Sequence, residues 1–167
     1  MPEKDKLFSS KIKHTGIFSF KDFYKFCYAW LSDEIGLDMA EKKYSEKIAG
    51  DSKIVELTWE GDKKLTDYFR FDIQVKMKAD KLKNIQVTQG GAKIDTNQGV
   101  IEMEVKGTLV RDYEGKFERT GTQKFMRSIY EKWVIPSRID EFKTKIITDC
   151  DEFLGQAKAW LDLEGKR

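Results

Sequence analysis

The stretch TDYFRFDIQVKMK, residues 66–78, constrains the fold more than any other. Phe69, Phe71, Ile73, Val75 and Met77 share one parity, and Tyr68, Arg70, Asp72, Gln74 and Lys76 share the other. Successive side chains of an extended chain point to opposite faces, so this alternation predicts a strand with one apolar and one wet face. Strands of a parallel sheet are covered on both faces and read as apolar throughout, so the sheet is antiparallel.

The same period recurs on both sides. In SKIVELTWE, Val55, Leu57 and Trp59 alternate with Glu56, Thr58 and Glu60, and GDKK, 61–64, reads as a turn. LKNIQVT, 82–88, reads as a separate strand with Ile85 and Val87 inward, closed by the turn QGG. AKID reads as a short strand. In GVIEMEVKGTLV, 99–110, Ile101, Met103, Val105 and Leu109 face inward and Glu102, Glu104 and Lys106 outward. Gly107 falls in the inward series, which predicts a bulge or a close approach by another element. RDYEGKFERT, 111–120, reads as a hairpin turn opening a last strand.

The period is helical at both ends of the chain. In FSFKDFYKFCYAWLSDEIGL, 18–37, Ser19 is an N-cap with Asp22 three residues on, and Phe18 and Phe23 have the spacing of a hydrophobic staple. A helix is predicted from Phe20 to Ile35, ended by Gly36 in a left-handed turn. Its apolar arc covers about 200°, roughly twice what a surface helix needs. A second short helix is predicted from Met39 to Ile48, closed by Gly50. After Thr122, the residues Phe125, Met126, Ile129, Tyr130, Trp133 and Val134 form one helical face, and Pro136 ends that helix and opens the next. From Ser137 to Leu163 the stripe Ile139, Phe142, Ile146, Cys150, Phe153, Ala157 and Trp160 predicts a helix about 40 Å long. Ile147, Leu154 and Leu161 widen the stripe, and Gly155 within it suggests a close packing contact.

Length and composition fit one domain. The chain has 167 residues, 40% apolar and 36% charged, enough for a core beneath a heavily solvated surface. Residues 1–10 read as a charged leader and 11–167 as a single α+β domain, with KIKHTGIFS, 11–19, as a short strand. The start, MPEKDKLFSSKIK, lacks the apolar stretch of a signal peptide, and the uncharged runs are too short to span a bilayer. Cys27 and Cys150 each fall on an apolar helical face and read as buried free thiols, which implies a cytoplasmic setting.

The fold expected is therefore α+β. An antiparallel meander of about five to seven strands packs on a long C-terminal helix, with one or two N-terminal helices. This order of elements resembles the helix-grip fold of the START and Bet v 1-like families, in which a curved antiparallel sheet wraps a long C-terminal helix. The resemblance covers most of the chain as an order of element types. No residue motif carries it, so no site residue is transferred, and the helix at 123–135 departs from the simplest version. It implies a space between sheet and helix of the kind that holds an apolar ligand in those families.

Catalytic and metal chemistry find little footing. His14 is the one histidine and there is no Cys/His cluster, so neither a zinc site nor a Cys–His nucleophile is expected. Asp149, Asp151 and Glu152 read as a solvated helix face without the loop geometry that calcium needs. Glu102 and Glu104 sit on a wet strand face, where lysines of adjacent strands would neutralise them. Gly90 and Gly91 lack the strand–loop–helix setting of a phosphate loop. With 31 basic and 29 acidic residues, mixed along the sheet, nucleic-acid binding is not expected. No cofactor is indicated.

Two functional readings stay open. In the first, the chain is a non-catalytic domain binding an apolar small molecule between sheet and long helix, lined by Trp59, Phe71, Met103, Cys150 and Trp160. In the second, it is a structural or interaction subunit, self-associating or meeting a partner through the aromatic helix 20–31, with Tyr24, Phe26 and Trp30 outward, or through the wet sheet face. A third reading is an enzyme with a tyrosine and a carboxylate acting in the cavity. The pattern leans to a non-catalytic protein.

Overall fold

The computed structural model describes residues 3–114, 121–129, 132 and 136–165. Five strands, β1 (Glu3–Phe18), β2 (Asp38–Ala49), β3 (Ser52–Lys64), β4 (Phe69–Gln89) and β5 (Ala92–Arg111), form one sheet in the order β1-β5-β4-β3-β2. All its pairings are antiparallel. Three α-helices are described, α1 (Phe20–Ala29), α2 (Gly121–Ile129) and α3 (Pro136–Gly165). The class is α+β, and the order of elements is the helix-grip-like one, with the first strand closing onto the last.

One face of the sheet is apolar, and the long helix α3 and the shorter α1 lie on it. α3 lies over β1 and β5, while α1 reaches Trp59 of β3 through Tyr24 and Tyr28. α1 starts as the sequence predicts: the Asp22 amide donates to the Ser19 hydroxyl at 3.3 Å, and the Phe20 amide donates to the side chain of Asn97 at 3.0 Å. A π-helical turn, Trp30–Glu34, continues α1 up to the left-handed Gly36. Phe18, Phe23, Cys27 and Leu31 are fully buried from this side, and Ile146, Cys150, Phe153 and Ala157 from α3. Each large apolar side chain so buried contributes about 1.5–3 kcal/mol.

Gly107 is a close approach, one of the two alternatives its position allowed. A Cβ there would stand 2.7 Å from Cys150 Sγ and 3.2 Å from Ile146 Cγ2, so α3 rests directly on the β5 backbone. Gly155 is not such a point, since a Cβ on it would meet nothing within 4 Å.

Several boundaries differ from the sequence reading. Residues 3–10 are not a leader but the first half of β1, paired with β5 from Glu3↔Arg111 onward. A register shift between Lys6 and Phe8 breaks the alternation and hides the strand. The segment 39–48 is strand β2 rather than a helix, and a register shift between Glu41 and Lys43 interrupts the period-2 alternation that would have marked it as a strand. GDKK belongs to β3, and the turn falls at 65–68, where the Thr66 hydroxyl accepts from the Tyr68 and Phe69 amides. The predicted strands 66–78 and 82–88 are one strand, β4, bent at Lys81 with φ 53°. That irregularity exchanges the two parities. Asn84 and Asn97 are bonded to each other at 2.8 Å on the side of α1, which puts Ile85 and Val87 on the opposite face from the one expected. AKID and 99–110 likewise merge into β5.

In α2 the described part of the expected apolar face is not buried as a stripe, and Ile129 is only half-buried. Phe125 and Met126 are exposed, and Arg127 is the buried side chain, reaching Glu3 at 3.0 Å and Asp112 at 3.8 Å. Tyr130, Trp133, Val134 and the strand expected after residue 114 lie outside the described residues. In α3, Ile147 is 41% exposed and does not widen the buried stripe.

Candidate functional site

The aromatic residues of α1 form two seams. Phe23 and Phe26 meet Trp160 of α3, with ring centroids at 5.4 and 6.0 Å. Tyr24 and Tyr28 stand edge-on to Trp59 of β3 at 5.0 and 5.4 Å. Such pairs contribute about 0.5–1.5 kcal/mol each beyond area burial. The wide arc read from the sequence is thus used to join sheet and long helix. Tyr24, Phe26 and Trp30, named above as an outward surface, are half-buried in these seams.

The five named lining residues fall on the covered face of the sheet or on the helices above it. Trp59, Phe71, Met103 and Cys150 are at most 1% exposed and belong to one contiguous core cluster, against which a partly buried Trp160 packs. At Gly107 the helix touches the sheet backbone.

Two thiols and two phenols in and near these seams are pushed towards their protonated forms. Burial pushes the Cys27 thiol well above its usual range, and burial, helped by Asp149, pushes the Cys150 thiol up to about 12. The Tyr24 hydroxyl donates to Glu41 Oε2 at 2.6 Å. Burial and then that bond raise its phenol to about 12, against a smaller opposing pull from the nearby Trp59 indole. Partial burial and the 2.6 Å bond to Glu46 also raise the Tyr44 phenol. A phenol raised in this way is a hydrogen-bond donor and a poor base. His14 lies edge-on to Phe18 at 5.9 Å, beside Gly165. Both cysteines are free, and among the described residues no group of three or more His, Cys, Asp or Glu could hold a metal ion.

The opposite face of the sheet is polar and rich in charge. At Glu102 the expected neutralisation from an adjacent strand is present, whereas Glu104 is reached at 3.2 Å by Lys106 of its own strand; Glu56 is neutralised in the same way as Glu102. Lys11 and Lys13 reach Glu102 at 3.3 and 3.9 Å, and Lys43 and Lys78 reach Glu56 at 3.6 and 4.0 Å. Towards the other end, a trough of about 480 Å³ runs across all five strands. One register row through it reads Lys6, Thr108, Asp72, Asp62, Asp38, and the next reads Ser9, Lys106, Gln74, Glu60, Ala40. Arg70 grips Asp72 with two bonds of 2.6 and 2.8 Å, and this bond, reinforced by the charges of Asp72 and Asp62, raises the Arg70 pKa. Asp38, Glu60 and Asp62 have no ion pair among the described residues. Asp62 stands directly opposite both Asp72 and Asp38 across the ladder. Like charges so placed destabilise a sheet.

Sequence reading missed this trough because its parts were assigned elsewhere: Lys4 and Lys6 to the leader, Asp38 outside any strand, Asp62 to a turn. The charge-rich alternation of β3 and β4 was the one available signal.

Fold and faces together define a class: an antiparallel α+β domain with an apolar, helix-covered inner sheet face and a polar, grooved outer one. In comparisons with known protein families, with curated proteins and with solved structures, no match is found.

Proposed function

We propose that this chain is a non-catalytic interaction domain that presents the outer face of its sheet to a protein partner. The observation that carries the reading is the contrast between the two faces. The inner face is occupied by helices seated at contact distance, down to Cys150 over Gly107. The outer face carries a trough in which Asp38, Glu60 and Asp62 make no ion pair within 4 Å among the described residues, Asp62 feeling Arg70 only at longer range. Unneutralised like charges cost stability and favour a complementary surface. The raised phenols and thiols argue against acid–base or thiol catalysis in the seams. A cytoplasmic setting belongs to this proposal, since both cysteines are buried free thiols. Among the described residues, no helix is long and apolar enough to cross a membrane.

Lysine cross-linking in the source cells, read by mass spectrometry, tests the proposal. Cross-links to other polypeptides should concentrate on Lys4, Lys6, Lys42 and Lys106 and disappear in a Glu60→Lys/Asp62→Lys variant. Cross-links spread equally over Lys143, Lys145 and Lys158 of α3 would refute it. An adduct of a few hundred daltons on the native protein would return the chain to the apolar-ligand reading.

A further inference from the structure

We infer that the free edge of β2 takes an extended segment of another protein as a sixth strand, with basic and apolar residues of that segment on the inner flank and acidic ones on the outer. The inference stands apart from the outer-face reading above and uses a different surface.

β2 ends the sheet order, so one of its sides has no strand beside it. Along that side alternate residues turn an N–H and a C=O outward, the template on which an added strand pairs. The start of β2 is fastened to α1. The Tyr28 hydroxyl donates to the Met39 carbonyl at 3.2 Å, and the Tyr24 hydroxyl to Glu41 at 2.6 Å. Past the register shift, β2 pairs regularly with β3 from Lys43 to Ala49. That run is about 24 Å long.

Its two flanks differ. Tyr44, Glu46 and Ile48 stand opposite Leu57, Val55 and Lys53, in line with the core face. Tyr44 is nevertheless 47% exposed and Ile48 85%. An added strand with apolar residues at these two positions would cover both. Tyr44 lies near enough to Tyr24 and Glu41 to interact electrostatically with each. Glu41 is exposed and makes no ion pair among the described residues, where its side chain accepts from Tyr24 alone. An open carboxylate beside two phenol rings suits a guanidinium, which pairs with the acid and lies over the rings. The outer flank reads Lys43, Ser45, Lys47, and Lys47 also makes no ion pair among the described residues. Glu46 meets Lys53 at 3.6 Å and Lys43 meets Glu56 at 3.6 Å, but these are exposed pairs that contribute little and exchange readily. The segment selected is therefore apolar opposite Tyr44 and Ile48, basic at Glu41 and Glu46, and acidic opposite Lys43 and Lys47.

A second copy of β2 does not meet this pattern. Antiparallel self-pairing centred on Ser45 sets Lys43 against Lys47, and centring it on Glu46 or Lys47 sets that residue against itself. A centre on Tyr44 runs into the register shift. The other edge, β1, offers less. α3 packs along its inner flank, with Gly165 beside His14, and its outer flank carries Lys4, Lys6, Lys11 and Lys13, the composition that guards an edge.

The probe is the synthetic peptide Thr-Val-Glu-Arg-Thr-Val-Glu-Arg. In antiparallel register it sets its valines opposite Ile48 and Tyr44, its glutamates opposite Lys47 and Lys43, and its arginines at Glu46 and Glu41. Titrated into the full isotope-labelled chain, it should shift the backbone amides of 43–49 and saturate with a Kd of about 1 mM or tighter, as fits a weak, transient interface. Replacing both arginines by glutamate should weaken binding at least about tenfold. Glu41→Lys/Glu46→Lys should reverse the ranking of the two peptides, a gain that misfolding cannot produce. N-methylation of alternate peptide residues should abolish binding in one alternate set and spare it in the other, since only one side of an added strand faces β2. No saturable shift at 43–49, equal affinity for the two peptides, or equal effects of the two methylated sets overturns the inference. Shifts at 43–49 that grow with chain concentration in the absence of peptide would give the edge to a second copy and overturn it as well. Cross-linking at Lys4, Lys6 and Lys106 is read separately, so the outer-face proposal stands or fails on its own.

Discussion

Gly107→Ala probes the contact on which the functional reading depends. The added Cβ would stand 2.7 Å from Cys150 Sγ, 3.2 Å from Ile146 Cγ2 and 3.5 Å from Phe8 Cβ. Favourable contacts between heavy atoms lie at about 3.5–4.0 Å, so the sulfur is roughly 1 Å too close. Cys150 has one side-chain torsion, is 0% exposed, and sits mid-way along a helix of 30 residues, so neither rotation nor translation relieves the overlap cheaply. Overpacking of this kind costs about 1–3 kcal/mol. The stiffer unfolded chain of the alanine variant returns about 0.4–1 kcal/mol. A net loss of up to about 2.6 kcal/mol follows, about 1.3 kcal/mol at the middle of the two ranges, which lowers Tm by about 3–5 °C for a chain of this size. Urea unfolding followed by circular dichroism and tryptophan fluorescence measures it. Cys150→Ala removes the clashing sulfur, so the double variant should recover part of the loss, with a coupling of about 1 kcal/mol or more. If Gly107→Ala is as stable as wild type, or shows no coupling to Cys150→Ala, then α3 does not rest on β5. The inner layer would then have room for a ligand, and the outer-face proposal would lose its footing.

Three further outcomes are expected. The Cys27 and Cys150 thiols and the Tyr24 phenol are all raised by the fold, the latter two to about 12. Their stabilising contribution is whole below the pKa of the unfolded groups and is lost as pH climbs from about 9 towards 12, at up to about 1.4 kcal/mol per pH unit for each buried thiol. Urea midpoints should fall along that limb, and Cys27→Ala/Cys150→Ala should flatten it; unchanged curves would contradict the assigned burial. Arg127→Ala should destabilise in the same assay, because the buried guanidinium reaches Glu3 at 3.0 Å and Asp112 at 3.8 Å, and Arg127→Ala/Asp112→Ala should cost less than the sum of the single losses. Lys81→Gly should stabilise by about 0.5–1 kcal/mol in the same assay, since a non-glycine residue at φ 53° is strained; a loss would mean that the bend in β4 is held by the lysine itself.

How much was legible in the sequence follows from where the alternation is unbroken. Val55 to Trp59, Phe69 to Met77 and Ile101 to Leu109 run without irregularity, and their buried faces were read correctly. α1 and α3 were equally legible, because a cap, a staple and a stripe of seven residues are local signals. Every strand misassigned or misfaced carries a bulge or bend: Lys6/Phe8 in β1, Glu41/Lys43 in β2, Lys81 in β4. One extra residue exchanges the two faces, so the sequence beyond it reads as polar disorder, as a helix or as a strand facing the wrong way. The trough shows the cost of this. Alternation marks which residues share a face within a strand, but charge complementarity across a sheet depends on register between strands. Lys6 and Asp38 lie on one row only because β1 and β2 each carry a shift, and no pattern within either strand announces that row. Core positions are therefore read from local periodicity, while a recognition surface built across five strands becomes visible only once the pairing is known.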